Sequence, residues 1–159
     1  MKMKYDVILK EIPERNVMSI RQVVSEFSDE GTLWNALYTE AQKQKVEYTN
    51  PPLGMTLYHD PEYKEKDIDI EVQSTIVGDY NDTEVVKFFK APAIEVVSIT
   101  FKGSHEQMPT VMQEIAKWLE INNYVISGPM INIFHVTSAT ESNPDNWVTE
   151  ASYQVTKRK

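Results

Sequence analysis

Three short strings recur in the same order at offsets of about 76 to 79 residues, and this echo restricts the chain to folds built twice from one unit. VMSI at 17–20 answers VVSI at 96–99, LYH at 57–59 answers IFH at 133–135, and the strand-like stretch around Glu71 answers the one around Glu150. The copies span about 5–77 and 93–156. A module with one helix and three strands covers only one face of its sheet, so a second copy is the physical reason for duplication. The expectation is a single domain, 1–159, of the α+β class. It consists of tandem strand-helix-strand-strand modules, with an antiparallel sheet forming a groove, two helices on one side and a pseudo-twofold relation.

Two hydrophobic periods place the elements. Alternation in DIDIEVQSTIV, 67–77, sets Ile68, Ile70 and Val72 against Asp69, Glu71 and Gln73, the pattern of a half-buried antiparallel strand. Further strands are predicted at 15–24, 55–59, 94–102, 130–136 and 147–156, with a short one at 5–9. Helical spacing predicts a helix over 29–44, buried through Leu33, Leu37 and Ala41 and capped by Ser28 or Asp29. A second helix follows Ser104, with Met108, Val111, Met112, Ile115 and Leu119 on its inner side. Ser104 and Gln107 are read as its capping box, and Pro109 belongs in its first turn.

Composition narrows the function. With 16 Lys and Arg against 24 Asp and Glu, the net charge is -8, so a nucleic-acid backbone meets a repelling average field. The densest basic cluster is the 157–159 tail. Zero cysteines remove disulfides, thiolate metal sites and cysteine nucleophiles. No apolar run reaches the ~20 residues of a membrane span, and 7–9 is too short for a signal-peptide core. The expected setting is the bacterial cytoplasm, without membrane or direct nucleic-acid contact.

The stretch KWLEINNYVISGPMINIF, 117–134, resembles the signature of the gyrase-inhibitor-like (GyrI-like) effector-binding family, which also forms the drug-sensing domain of multidrug-responsive transcription regulators. Trp118, Tyr124, Gly128 and Pro129 stand at the matching positions, supported by the Leu33-Trp34 pair, GMTLYHD at 54–60 and the closing Thr149-Glu150. The resemblance covers essentially the whole chain. It implies binding of hydrophobic or aromatic ligands, cationic ones among them, in a central groove. The first strand signal at Tyr5 together with the acidic charge gives the expectation of a stand-alone protein without the DNA-reading part of a regulator. Where the family has glutamate followed two residues later by tyrosine, this chain has Asn132 and Phe134. An amide cannot serve as general base or carboxylate nucleophile, which speaks against hydrolysis at that position.

Strand parity then gives candidate ligand-binding residues. If Leu57, Ile131 and Ile133 pack on the helices, Asn132, Phe134, Thr56 and Tyr58 line the groove, two aromatics with two small polar groups. Glu150 is the candidate replacement carboxylate; for it, as for Asp69 and Glu71, a solvated strand face is the plain alternative. Trp34 and Trp118 suit either core packing or ligand stacking, and Trp147 either a lid or a strand-start anchor. His59, His105 and His135 lack metal-ligand spacing, so no metal is expected, and His59 and His135 are read as structural because they are equivalent in the repeat. No catalytic residue and no cofactor are assigned. The leading function is small-molecule binding. The alternatives are a protein-interaction module similar to DNA gyrase inhibitors, whose partner would be gyrase or a separate regulator, and a hydrolase of electrophilic toxins acting through Glu150 or Glu71.

Overall fold

The alternating segment 67–77 forms a strand paired on both sides, and so does its counterpart near Glu150. A computed structural model describes residues 5–61, 64–137 and 140–159. In chain order these form β1 (Val7–Ile12), β2 (Arg15–Val24), α1 (Glu30–Gln44), β3 (Glu47–Tyr48), β4 (Gly54–Tyr58), β5 (Ile68–Val77), β6 (Lys87–Ala91), β7 (Ile94–Lys102), α2 (Met108–Asn122), β8 (Tyr124–Val136) and β9 (Val148–Lys157). The class is α+β, with antiparallel pairing within each unit.

The chain divides into two compact units, Pro13–Ala93 and β1 together with Ile94–Lys159. In the first, β2 lies between β6 and β5, β4 pairs with the far side of β5, and short β3 continues that side. In the second, β7 lies between β1 and β9, and β8 closes the order. The two arrangements correspond strand for strand, but the leading strands have changed places. β1, at the head of the first repeat, pairs with β7 of the second, and β6 pairs with β2 of the first. Neither β3 nor β6 is among the strands expected from sequence.

Each unit carries its own core. In Pro13–Ala93, Leu33, Leu37 and Ala41 of α1 pack on Met18 and Ile20 of β2 and on Ile68, Ile70, Val72 and Ile76 of β5. In the other unit, Val111 and Ile115 of α2 pack on Val97, Ile99, Phe101, Ala151 and Val155. Each fully buried Leu or Ile contributes about 1.5 to 3 kcal/mol, so these stripes fix which sheet face the helix covers.

The helix starts differ from expectation. A 3-10 turn, Phe27–Asp29, precedes α1, and the Asp29 carboxylate accepts from the Glu26 amide at 3.1 Å instead of capping the α-helix. Another turn, His105–Gln107, precedes α2. There is no Ser104–Gln107 capping box: the Gln107 amide donates to the carbonyls of Lys102 and Ser104 and its oxygen accepts from Tyr5. Pro109 does lie in the first turn of α2, where its missing N–H costs nothing. Asn123 ends α2 in the left-handed region at φ 64°, which an Asn adopts more readily than most residues, and so turns the chain into β8 at Tyr124.

Candidate functional site

β4 fixes what each face of the Pro13–Ala93 sheet can do. Thr56 lies opposite Val72 and Tyr58 opposite Ile70, residues that pack under α1, whereas Leu57 lies opposite Glu71. Thr56 and Tyr58 therefore share the helix side, and Leu57 and His59 point the other way. This inverts the expectation that Leu57 packs on the helix. The second unit is inverted in the same sense: Asn132 lies opposite Ala151, part of the α2 core, while Ile133 lies opposite Glu150.

On the helix side, three side chains converge on a carboxylate that the sequence reading did not single out. Glu30, the first residue of α1, accepts from Trp34 Nε1 at 3.2 Å and Thr56 Oγ1 at 2.9 Å through Oε2, and from the Tyr58 hydroxyl at 2.8 Å through Oε1. Aromatic rings surround it. Phe27 meets Tyr58 edge-on at 6.0 Å, Trp34 stacks on Tyr38 at 5.8 Å, and Tyr38 meets Tyr48 at 6.4 Å. Burial pushes the Tyr38 and Tyr48 hydroxyls up, as a low-dielectric setting does. All three donors to Glu30 are neutral, and among the described residues no Lys or Arg pairs with it. The signal for this cluster was present in sequence as Glu30, Trp34 and Tyr38 at four-residue spacing, beside the Leu33, Leu37 and Ala41 stripe.

The matching positions in the second unit carry no acid. Met108 and Met112 stand where the first unit has Glu30 and Trp34, and Asn132 and Phe134 where it has Thr56 and Tyr58. Among the described residues the Asn132 side-chain oxygen is buried without a hydrogen-bond partner. Flexible thioethers beside an aromatic ring make an adaptable apolar surface.

The opposite faces hold a second, duplicated arrangement. Ser19 Oγ donates to Glu71 Oε2 at 2.6 Å, Gln73 Nε2 donates to the same oxygen at 2.6 Å, and His59 Nε2 lies 2.8 Å from Oε1. In the other unit Ser98 Oγ donates to Glu150 Oε2 at 2.7 Å, His135 Nε2 lies 3.0 Å from Oε1, and Lys10 Nζ lies 2.5 Å from Oε2. Burial pushes the Glu150 carboxyl up, but His135, Lys10 and Ser98 together outweigh it and hold it at about 2 against an ordinary 4.5. Glu71 is also lowered: burial raises it, and bonds from His59, Ser19 and Gln73 prevail.

The expected solvated face is thus absent at both glutamates, which are 7% and 2% exposed. Glu150 faces away from α2 and already has an ammonium, so it does not stand beside Asn132 as a replacement carboxylate. Asp69 does lie near solvent and forms a two-pronged pair with Arg21 at 3.0 and 2.8 Å. Of the remaining candidates, Trp118 packs in the α2 core against Tyr124 at 5.1 Å. Trp147 donates to the Glu141 carbonyl at 2.9 Å and lies 5.6 Å from the His105 ring, anchoring the chain just before β9. Among the described residues no group of three metal-ligating side chains occurs, and no helix is long and apolar enough to cross a membrane.

Each unit has its own helix-covered core, and the first carries an aromatic face around Glu30. Residues 5–155 match the GyrI-like small molecule binding domain, and the chain belongs to that family. Among solved structures, the EcmrR C-terminal domain is 30% identical, with a TM-score of 0.89 over 98% of this chain and 99% of that one. The EcmrR chain of the EcmrR–DNA complex in EcmrR-RPo is also 30% identical, with a TM-score of 0.88, but the match covers 96% of this chain and only 58% of that regulator. SAV2435 bound to tetraphenylphosphonium shares the fold at 14% identity, with a TM-score of 0.58 over 97% and 94% of the two chains. A comparison with curated proteins gave no match.

Proposed function

We propose that this protein is a receptor for aromatic cations, bound on the helix side of the Pro13–Ala93 unit with Glu30 as counter-ion. The observation that carries this reading is a carboxylate whose partners among the described residues are neutral Trp, Thr and Tyr donors, inside a set of aromatic rings. A delocalised cation gains twice there, from the uncompensated charge and from the negative faces of the rings. Trp34, Thr56 and Tyr58 hold the anion in place, and Trp34 and Tyr58 also offer ring surface. On the helix side of the other unit the matching positions are the neutral pair Asn132 and Phe134, which supply no counter-ion. In this chain the acid comes from the first turn of α1, not from the strand position occupied by Asn132.

The family membership supports small-molecule binding, and the likeness to EcmrR supports a role in which ligand occupancy is reported to transcription. A hydrolytic role through Glu71 or Glu150 is disfavoured because each carboxylate is buried and already accepts three hydrogen bonds or ion-pair contacts. Nothing in the site favours gyrase as a partner.

Titration calorimetry with tetraphenylphosphonium and its neutral counterpart triphenylphosphine oxide tests the proposal. Glu30→Gln should weaken the cation by at least about tenfold, the scale of one lost charge contact near rings, and leave the neutral compound within about twofold. Equal cation affinity in the wild type and Glu30→Gln would overturn it.

A further inference from the structure

The duplicated carboxylates differ in one component. In the unit formed by β1 and Ile94–Lys159, Lys10 brings an ammonium to Glu150 from the outer strand. Lys10 lies opposite Val96 on β7, and the equivalent of Val96 on β2 is Val17, whose partner on the outer strand β6 is Phe89. Phe89 therefore occupies the Lys10 position in Pro13–Ala93. Glu71 keeps the serine and histidine of its twin, but its third donor is the neutral Gln73 amide. A carboxylate offers about four acceptor sites, so one remains.

Where the Lys10 side chain would run, Pro13–Ala93 has a hollow of about 410 Å³ lined by Ser19, Arg21, Glu71, Glu84, Val85, Lys87 and Phe89, among others. Its mouth carries two apolar side chains, Val85 and Phe89, 47% and 42% exposed, among the exposed Arg21, Glu84 and Lys87. The two cations in the lining are engaged elsewhere, Arg21 with Asp69 and Lys87 with the Thr83 carbonyl at 2.8 Å. Lys87 stands where the other unit has Ile8, two residues along the strand from the Lys10 position.

We propose that this hollow is a second binding site, distinct from the Glu30 face, for a primary ammonium group carried on a short apolar tail. The ammonium takes the place that Lys10 Nζ takes beside Glu150, donating N–H bonds to Glu71, and the tail lies on Phe89 and Val85. A quaternary cation lacks the N–H groups for this carboxylate. The apolar tail, rather than a second charge, lies on Phe89 and Val85, so the ligand is a monoamine, alkyl or aralkyl.

The test uses n-butylamine and phenethylamine with the full chain, followed by backbone amide NMR, with tetramethylammonium as the control cation. Both amines should shift the amides of Ser19, Val85 and Phe89 in a saturable way, and tetramethylammonium should not. Glu71→Gln should raise Kd at least about tenfold, whereas Glu30→Gln should leave it unchanged, which separates failure here from failure of the Glu30 reading. Phe89→Lys is the second variant: it recreates the Lys10 arrangement and should abolish amine binding. The proposal is overturned by no saturable shift up to about 20 mM amine, by amine binding that survives Phe89→Lys, or by loss of binding in Glu30→Gln.

Discussion

Lys10 Nζ lies 2.5 Å from Glu150 Oε2, so a side chain that is 37% exposed neutralises a carboxylate that is nearly fully buried. Because Glu150 has its folded-state value depressed to about 2 from 4.5, its contribution is fully present above about 4.5 and is lost as pH falls through 2. The difference corresponds to on the order of 3 kcal/mol for the whole set of partners. Lys10→Met should lower stability by about 1 to 3 kcal/mol at neutral pH, and this deficit should shrink as pH falls from about 4.5 towards 2, because Glu150 then has less to lose on protonation. Urea unfolding at a series of pH values reads both; a variant whose deficit stays constant down to pH 2 would contradict the pairing.

Thr56 is fully buried and its hydroxyl donates to Glu30 at 2.9 Å. Thr56→Val keeps the shape and removes the donor, which should cost about 1 to 2 kcal/mol and reduce tetraphenylphosphonium affinity a few-fold by loosening the anion. Denaturant unfolding and calorimetry measure the two effects separately.

Gly128 lies where β8 shifts register between Ile126 and Met130, against Gln154. A Cβ there would come within 2.2 Å of Gln154 Oε1 and 2.9 Å of its Cβ. Gly128→Ala should therefore destabilise by about 1 to 3 kcal/mol, and Gln154→Ala in the same chain, which removes the amide but keeps the close Cβ, should recover part of the loss. A thermal-melt double-mutant cycle decides it: additive losses would mean that the glycine is needed for another reason.

Ser152 stands where the other unit has Gln73, but its hydroxyl is buried without a hydrogen-bond partner among the described residues. Ser152→Ala should be neutral or stabilising by up to about 1 kcal/mol, whereas Ser98→Ala, which strips a donor from Glu150, should destabilise. Paired melting temperatures would expose an error in either half of this contrast.

The parts legible in sequence were those set by local period. The stripe Leu33, Leu37, Ala41 and the alternation of 67–77 each report a buried face without knowledge of the partner element. β4 gave no such report, since Met55, Thr56 and Leu57 are all buried and neither face reads as polar, so its orientation was read backwards. β6 was missed because its five residues show no clean alternation and its pairing with β2 spans most of a repeat. Glu30 was passed over because its meaning depends on Thr56 and Tyr58, 26 and 28 residues away, which no spacing rule connects to a helix start. The roles of His59 and His135 were legible, because duplication alone set them as a pair.

The exchange of β1 and β6 has a consequence for how such a chain arose. A lone ancestral copy with this pairing would have had to lend its first strand to a neighbour and borrow one in return, assembling only at concentrations that favour the pair. Joining two copies end to end makes the loan internal, so folding no longer depends on dilution. It also leaves each copy free to diverge, as Lys10 and Phe89 have done at one shared position.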